Sequence, residues 1–268
     1  MQRVRGGRTI ALATLLGLVV PATGAIADAG DLVISEIMYN PASAEDDWEW
    51  VEVANTGSTA VSLSGWVLDD HNSHAHAEPN IPFGSVPAGG TAVLYNADDL
   101  DEGDVAEAWG AGVPLVPVVG WSDHQLNNGG DTVSLWSTYA SYAGDHQNHA
   151  NAVVTVAYDD SGAWPSDDNS GSIYLEALDA DPNDGASWAL SAPGASTPAG
   201  GAAYTSAAAA GNSGADVGSP GGTLAPPPGP TEVTIPQIQG AAHTSPYEGD
   251  EVATQGVVTA VDGDIGFY

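Results

Sequence analysis

Short segments rich in branched and aromatic residues recur along the chain, separated by stretches rich in Gly, Pro, Asn and Asp. The segment at 32–39 (LVISEIMY) ends at Asn40-Pro41, and the segment at 49–53 (EWVEV) alternates polar and apolar side chains. A period of two residues is typical of a β-strand with one face against a core. Further segments of this kind lie at 61–68, 91–95, 132–136, 153–158 and 172–178.

The spacing of these segments predicts an all-β fold. Short strands divided by turn residues, without a sustained helical period, are typical of an immunoglobulin-like antiparallel β-sandwich. Residues 101–120 have no regular pattern, and we expect a long loop or an excursion at a sheet edge there. Trp50 and Trp66 are expected to fill the space between the sheets, because each can bury a large apolar area.

The composition changes twice toward the C-terminus. Residues 195–230 are almost wholly Gly, Ala, Ser, Thr and Pro, and their last part, continuing to 231, predicts a stiff linker at 223–231. Beyond it, 232–239, 251–261 and 265–268 have the pattern of strands in a second unit. Units below about 40 residues rarely fold without disulfides or metals. We therefore expect residues 232–268 to be a truncated part of a longer protein.

The N-terminus has the three parts of a secretory signal. Three arginines lie in the first eight residues, an apolar run follows at 9–20, and an A-x-A cleavage site ends at Ala27. The apolar run is too short for a membrane-spanning helix, which needs about 18 residues or more. We expect a signal peptide at 1–27, cleavage before Asp28, and a secreted chain without a transmembrane segment.

Composition and charge exclude several kinds of site. The 268 residues contain 35 Asp and Glu against 3 Lys and Arg, for a formal net charge of −32, and they contain no cysteine. Because all three basic residues lie in the predicted signal, the exported chain has no Lys or Arg with which to hold phosphates. We expect no direct grip on nucleic acid. A thiolate zinc site, an iron–sulfur centre and a cysteine nucleophile are also excluded.

Several motifs occur in one order along residues 28–222. They are ISEIMYNP at 34–41, EWVEV at 49–53, LSGW at 63–66, LNNGGDTVSL at 126–135, AWP at 163–165, YLE at 174–176, Trp188 and GSPG at 218–221. Together they resemble the lamin tail domain, an immunoglobulin-like sandwich common in secreted bacterial proteins. The resemblance implies a non-catalytic accessory or binding module that positions a downstream domain.

Residues 232–268 resemble the start of an OB-like β-barrel, through IQG at 238–240, TSP at 244–246 and GVVTAV at 256–261. Such a barrel follows a lamin tail domain in extracellular bacterial nucleases and precedes a metal-dependent endonuclease/exonuclease/phosphatase domain. The resemblance therefore implies an alternative, in which the chain is the front end of a nuclease whose catalytic domain lies elsewhere. None of that domain's catalytic residues occurs in this chain.

Two groups of histidines are candidates for metal binding. His71, His74 and His76 lie in one short stretch, and His146 and His149 form a second pair. Imidazole suits zinc, copper or nickel. A polar loop that happens to be rich in His is the alternative, and the stretch departs from the lamin tail pattern.

A run of alternating carboxylates is a candidate for calcium. Asp179, Asp181 and Asp184 precede Gly185, and calcium takes oxygen ligands of this kind. The spacing is not that of an EF-hand loop, because Asp184 stands where that loop requires Gly. A solvated acidic turn before Trp188 is the alternative.

The remaining candidates for chemistry are weak. Residues 122–124 place Ser, Asp and His side by side, whereas a catalytic triad needs convergence from separate elements. Trp121, Trp136 or Trp164 could stack on sugar rings if exposed, which gives a third alternative, a cell-surface or glycan-binding module. We expect no catalytic residues and no bound cofactor other than calcium.

Overall fold

The computed structural model describes most of the chain between Asp31 and Gly222. The described residues are 31–70, 75–121, 125–199 and 201–222, with short stretches at 231–232, 234–239, 252–253, 261–262 and 266–267. The predicted signal peptide, most of the predicted linker, and His71 and His74 lie outside these ranges.

The described residues form mostly short strands. In chain order these are β1 (Leu32–Met38), β2 (Trp50–Asn55), β3 (Val61–Ser62), β4 (Val67–Asp69), β5 (Ser85–Val86), β6 (Gly90–Asn96), β7 (Leu115–Val118), β8 (Gly130–Trp136), β9 (Val154–Asp159), β10 (Ile173–Leu175), β11 (Trp188–Leu190), β12 (Ser196–Thr197), β13 (Gly201–Ala202), β14 (Tyr204–Thr205), β15 (Val217–Gly218), β16 (Thr231–Glu232), β17 (Val252–Ala253), β18 (Val261–Asp262) and β19 (Gly266–Phe267). The α-helices are α1 (Glu45–Trp48), α2 (Glu102–Trp109), α3 (Tyr139–Ala143) and α4 (Ile235–Gln239).

Two sheets form the sandwich. The larger has the order β11-β10-β1-β2-β6-β7 and is antiparallel except between β6 and β7, and the smaller has the order β4-β8-β9. Their inner faces share one core, in which Ile34, Val53, Leu94, Leu135 and Val156 are fully buried. Each such side chain stabilises the fold by about 1.5–3 kcal/mol. The prediction of an all-β, immunoglobulin-like sandwich is confirmed.

The outer face of the larger sheet, which points away from β4-β8-β9, is also covered. Trp50 and Val93 lie on this face and pack with Val105 and Trp109 of α2. The expectation that Trp50 lies between the sheets is therefore wrong. Side chains alternate along β2, so Val51 and Val53 point inward and Trp50 points outward. Trp66 lies in the inner core, as expected.

Residues 101–120 are more regular than the sequence suggested. Asp101 begins α2 with a capping box, in which its side chain accepts from Asp104 N–H and the Asp104 side chain accepts from Asp101 N–H. Gly110, with φ at +102°, ends the helix, and β7 follows parallel to β6. Capping satisfies backbone donors that the first turn leaves free. A helix and a strand thus lie where a long loop or an excursion at a sheet edge was expected, and β7 is an edge strand of the larger sheet.

The C-terminal stretches agree with the sequence only in part. Residues 235–239 form α4 rather than a strand, which corrects the expectation for 232–239. β16 pairs with β17 in parallel, and β18 pairs with β19 antiparallel. The incomplete OB-like barrel and the truncation stay predictions. No helix among the described residues is long and apolar enough to cross a membrane.

Candidate functional site

A β-bulge in β1 places two carboxylates side by side on the outer face. The register of β1 against β2 shifts between Ile34 and Glu36, so that Ser35 is the extra residue and Glu36 lies opposite Glu52. An extra residue of this kind bends the strand and redirects its side chains. As a result, the Ser35 hydroxyl donates a hydrogen bond of 2.9 Å to Glu52 Oε1.

Both carboxylates are covered by residues 219–222, which we call the closing segment. Glu36 is 1% exposed and Glu52 is 0% exposed. Ser219 donates to Glu36 twice, from its amide at 2.8 Å and from its hydroxyl at 2.6 Å. Gly221 N–H donates to Glu52 Oε2 at 2.6 Å. The carboxylates therefore hold the closing segment through its backbone and through the Ser219 side chain.

Neighbouring hydroxyls add further hydrogen bonds to Glu36 and to the closing segment. Ser172 and Ser191 both donate to Glu36 Oε1. Thr91, on β6, donates to the Gly222 carbonyl at 3.1 Å, which fixes the last residue of the closing segment. The closing segment is thus tied to strands that are far apart in sequence.

The residue before the closing segment has to be small. A Cβ added to Gly218 would lie 3.0 Å from Glu36 Oε1 and 3.0 Å from Trp50 Cζ2. A side chain at this position would therefore push the closing segment away from the carboxylates. The GSPG motif combines this close approach with the two amide donors of Ser219 and Gly221.

The carboxylate pair has no Lys or Arg counterion among the residues that the structure describes. The chain contains no Lys or Arg after Arg8. Burial raises the pKa of Glu36, and burial together with the Glu36 charge raises the pKa of Glu52 to about 8. The hydrogen bonds from the closing segment oppose these shifts, because they stabilise the ionised forms. The net effect is a raised pKa for both carboxyls.

A second acidic position lies where β4 ends. Asp69 and Asp70 are 1% and 4% exposed, and they line a shallow cleft with Trp121 and Leu126. Burial raises the pKa of Asp69 to about 6, and burial with the nearby Asp131 and Asp69 charges raises the pKa of Asp70 to about 8. Among the described residues, which do not include 71–74, Asp70 Oδ1 has no hydrogen-bond partner.

His76, the described member of the first histidine group, is held beside Asp69. Asn80 Nδ2 lies 3.1 Å from His76 Nε2, and the Asn80 amide is oriented by two hydrogen bonds to the Leu68 backbone. The Asn80 amide thus points a donor at His76 Nε2, and Asp69 Oδ1 lies 3.8 Å from the same nitrogen. The Tyr142 hydroxyl accepts from His76 N–H and donates to Asp69 Oδ2.

The second histidine pair does not converge on a shared ligand position. His149 Nδ1 lies 2.7 Å from Ser134 Oγ, while the His146 ring packs against Tyr142. Asp145 accepts from the Trp136 indole at 2.9 Å. Ser, His and Asp thus meet here, but Ser134 is 0% exposed and cannot be reached by a substrate. The arrangement supports the fold of α3 and β8 rather than nucleophilic catalysis.

The calcium candidates lie in an exposed turn between β10 and β11. Asp181 Oδ1 accepts from Asn183 N–H at 3.0 Å, and Asp184 Oδ1 accepts from Ala186 N–H at 3.1 Å, while Asp179 is exposed nearby. Among the described residues, no three His, Asp or Glu side chains are grouped to hold a metal. Calcium at this turn stays a prediction.

Asn183, in the same turn, caps the free edge of β9. Its Oδ1 accepts from Ala157 N–H at 2.9 Å, and its Nδ2 donates to the Thr155 carbonyl at 3.4 Å. The turn therefore has a structural role that does not depend on a bound ion.

The tryptophans considered for sugar stacking are mostly in the core. Trp121 and Trp136 are 1% and 0% exposed, so neither can stack on a sugar. Trp164 is partly exposed, and its ring centroid lies 5.8 Å from that of Trp188.

Glu36 and Glu52 were missed as site residues in the sequence. Both occur in the motifs ISEIMYNP and EWVEV, where they read as the solvated members of alternating strands. The alternation of side chains along β2 could have indicated their burial, because it places Trp50 and Glu52 on the same face. A strand face that carries a Trp is expected to be covered by another part of the protein.

The fold and the site define an immunoglobulin-like module whose larger sheet is covered on both faces. The lamin tail domain family profile matches residues 25–161, about half of the chain. The chain belongs to the lamin tail domain family. Lamin tail domains are non-catalytic immunoglobulin-like modules, which makes the matched part a binding or structural module. No curated protein matches the chain.

The matched residues do not include every strand of the sandwich. β10 and β11 follow residue 161, yet β10 pairs directly with β1, where Glu36 lies opposite Tyr174. The closing segment also follows the matched residues, and it contacts Glu36 and Glu52 within them.

Proposed function

We propose that this chain is a non-catalytic accessory module of an exported protein, and that it positions a downstream unit. The observation that supports this most directly is the closing segment. Its four residues are fixed to the larger sheet at Glu36, Glu52 and Thr91. The Pro-rich run TLAPPPGP begins at the next residue. A fixed exit point followed by a stiff linker sets the direction in which a following unit is presented.

The absence of native cysteine makes the exit point measurable. A nitroxide attached at Thr223→Cys is the only label on the full chain. We expect its electron paramagnetic resonance spectrum to show restricted motion, and Thr91→Val, which removes the hydroxyl that holds Gly222, to increase that motion. Free motion of the label in the unmodified background would overturn the proposal.

The non-catalytic part of the proposal needs a separate assay. The full chain is incubated with DNA, RNA and polysaccharide in the presence of Mg²⁺, Mn²⁺ or Ca²⁺, and we expect no hydrolysis above buffer. Hydrolysis that persists in independently purified preparations would overturn it. Export is tested by N-terminal sequencing of secreted protein, which should begin at Asp28.

A nuclease context for the parent protein is supported only by the resemblance of residues 232–268 to an OB-like barrel. Sequencing of the gene beyond the codon for Tyr268 tests it. An endonuclease/exonuclease/phosphatase domain there would support the context, and a stop codon or an anchor segment would end it. Glycan binding has less support, because two of its three candidate tryptophans are buried.

A further inference from the structure

Glu36 and Glu52 repel each other when both are ionised, so the energy of the pair depends on pH. Residues opposite each other in an antiparallel pair have Cβ atoms about 4.5–5.5 Å apart. Two ionised carboxylates at that spacing repel strongly when water is excluded, and both of these are buried. With no Lys or Arg after Arg8, a proton kept on one of the two carboxyls would relieve this repulsion.

The same two side chains hold the closing segment, and this couples the proton to the exit point. Ser219 is bonded to Glu36 and Gly221 is bonded to Glu52, so the segment spans both carboxylates. Because the segment is bonded to both carboxylates, lifting it would admit water to the pair. We propose that Glu36 and Glu52 form a proton-operated latch, which is closed while one of them keeps a proton and opens when both are ionised.

The proposal deepens the proposed function and rests on it, since the latch would set whether the downstream unit is held or free. The opening range lies on the alkaline side of neutrality, because burial and mutual repulsion keep a proton on the pair at neutral pH. At acidic pH the pair keeps its proton, and the latch stays closed.

The other titratable groups that face the pair keep their protons in the pH range in which the latch opens. Burial raises the pKa of Tyr174 on β10, and the charges of Glu176 and Glu36 raise it further. Burial and the charges of Glu36 and Glu52 raise the pKa of Tyr204 on β14 to about 12. Tyr204 also donates to the Trp109 carbonyl at 2.6 Å, which keeps its hydroxyl proton in place. Glu52, with a pKa of about 8, is therefore the group that titrates here on the alkaline side of neutrality.

Amide hydrogen exchange of Ser219 and Gly221 tests the latch in the full chain, because these amides donate to the two carboxylates. After correction for intrinsic base catalysis, we expect their protection to fall at least about tenfold between pH 7 and 10. The amides of Val53 and Leu94 in the core should stay protected over the same range. Constant protection of Ser219 and Gly221 would overturn the latch, as would simultaneous loss of protection in the core.

The variant Glu52→Gln supplies the matched test. Its carboxamide keeps an acceptor for Gly221 and cannot ionise, so the alkaline loss of protection should disappear. Glu78→Gln, which removes one exposed carboxylate, should behave like the unmodified chain. An unchanged alkaline loss in Glu52→Gln would overturn the latch.

A carboxyl ¹³C NMR titration of the unmodified chain gives an answer even if Glu52→Gln does not fold. We expect one proton of the pair to persist above pH 7. Titration of both groups near pH 4.5 would contradict the proposal. Failure of the latch leaves the hydrolysis assay and the Thr223→Cys label unaffected, so the two proposals fail separately.

Discussion

The side chain of Asn80 pairs with the backbone of Leu68 as a neighbouring strand would. Its Oδ1 accepts from Leu68 N–H at 2.9 Å, and its Nδ2 donates to the Leu68 carbonyl at 2.7 Å. β4 has β8 on one side, and the carboxamide of Asn80 satisfies the other side at this residue. A side chain thus completes the edge of the smaller sheet.

Replacing Asn80 should destabilise the sandwich. In Asn80→Ala, two buried backbone groups of Leu68 lose their partners, and each such loss costs about 1–3 kcal/mol. We expect the free energy of unfolding in urea to fall by about 2–4 kcal/mol. Asn148→Ala, at an exposed position, is the control. Equal stability of the two variants would show that Asn80 is not needed at this edge.

Asp70 should make stability depend on pH. Its pKa of about 8 in the folded chain lies above the ordinary value of 3.8, so folding takes up a proton between these limits. Stability is therefore greatest at the acidic end of this window and declines as pH rises toward 8. Asp70→Asn should flatten the decline measured by urea unfolding from pH 5 to 8, whereas Glu78→Gln should not. An identical pH profile for Asp70→Asn and the unmodified chain would refute this.

Gly130 and Gly129 should differ sharply in their tolerance of alanine. Gly130 has φ at +115°, and a Cβ there would lie 2.8 Å from the Tyr158 carbonyl oxygen. Gly129 has only the Asn127 side chain nearby, at 4.0 Å. Left-handed backbone costs an L-residue about 1–2 kcal/mol before any clash. Gly130→Ala should lose more than this in urea unfolding and Gly129→Ala less, and the reverse order would contradict the β8–β9 register.

Screening of the surface acids should stabilise the chain. After Arg8 the chain has acids in nearly every loop and no Lys or Arg, so added NaCl should weaken self-repulsion. We expect the melting temperature to rise clearly as NaCl increases from low concentration. A flat response would mean that the acidic charge costs the folded state little.

Calcium binding at Asp179, Asp181 and Asp184 can be distinguished by experiment from the screening of surface charge by salt. Isothermal titration with CaCl₂ at constant ionic strength should give saturable heat in the unmodified chain. The double variant Asp181→Asn/Asp184→Asn keeps the side-chain oxygens that accept from Asn183 and Ala186, but it removes two charges from the site. We expect it to lose the saturable heat. Absence of saturable heat in the unmodified chain would remove the calcium candidate.

The strands were largely predictable because their alternation is local information. β2, β8 and β9 were predicted to within about two residues of their observed ends. The capping signal of α2 was present in Asp101 and Asp104, but it was hidden among neighbouring acids that resemble solvated charge. To predict the orientation of Trp50, one has to know that a second layer covers the outer face. No local sequence pattern indicates such a layer.

The candidate site was less predictable for a physical reason. Buried carboxylates are rare without a basic partner, so Glu36 and Glu52 are most naturally expected in solvent. What buries them is a segment more than 160 residues further along the chain, as the contacts of Glu36 with Ser219 and of Glu52 with Gly221 demonstrate. At this separation in sequence, no local pattern indicates that two residues are in contact.

The capping of β9 by Asn183 has a consequence for how copies of the protein meet one another. A free strand edge is a template on which another chain can add a strand, and this is a common start of ordered aggregation. Asn183 occupies the Ala157 amide and the Thr155 carbonyl, the groups that an added strand would use. The acidic turn that carries Asn183 therefore acts as a gatekeeper against strand addition.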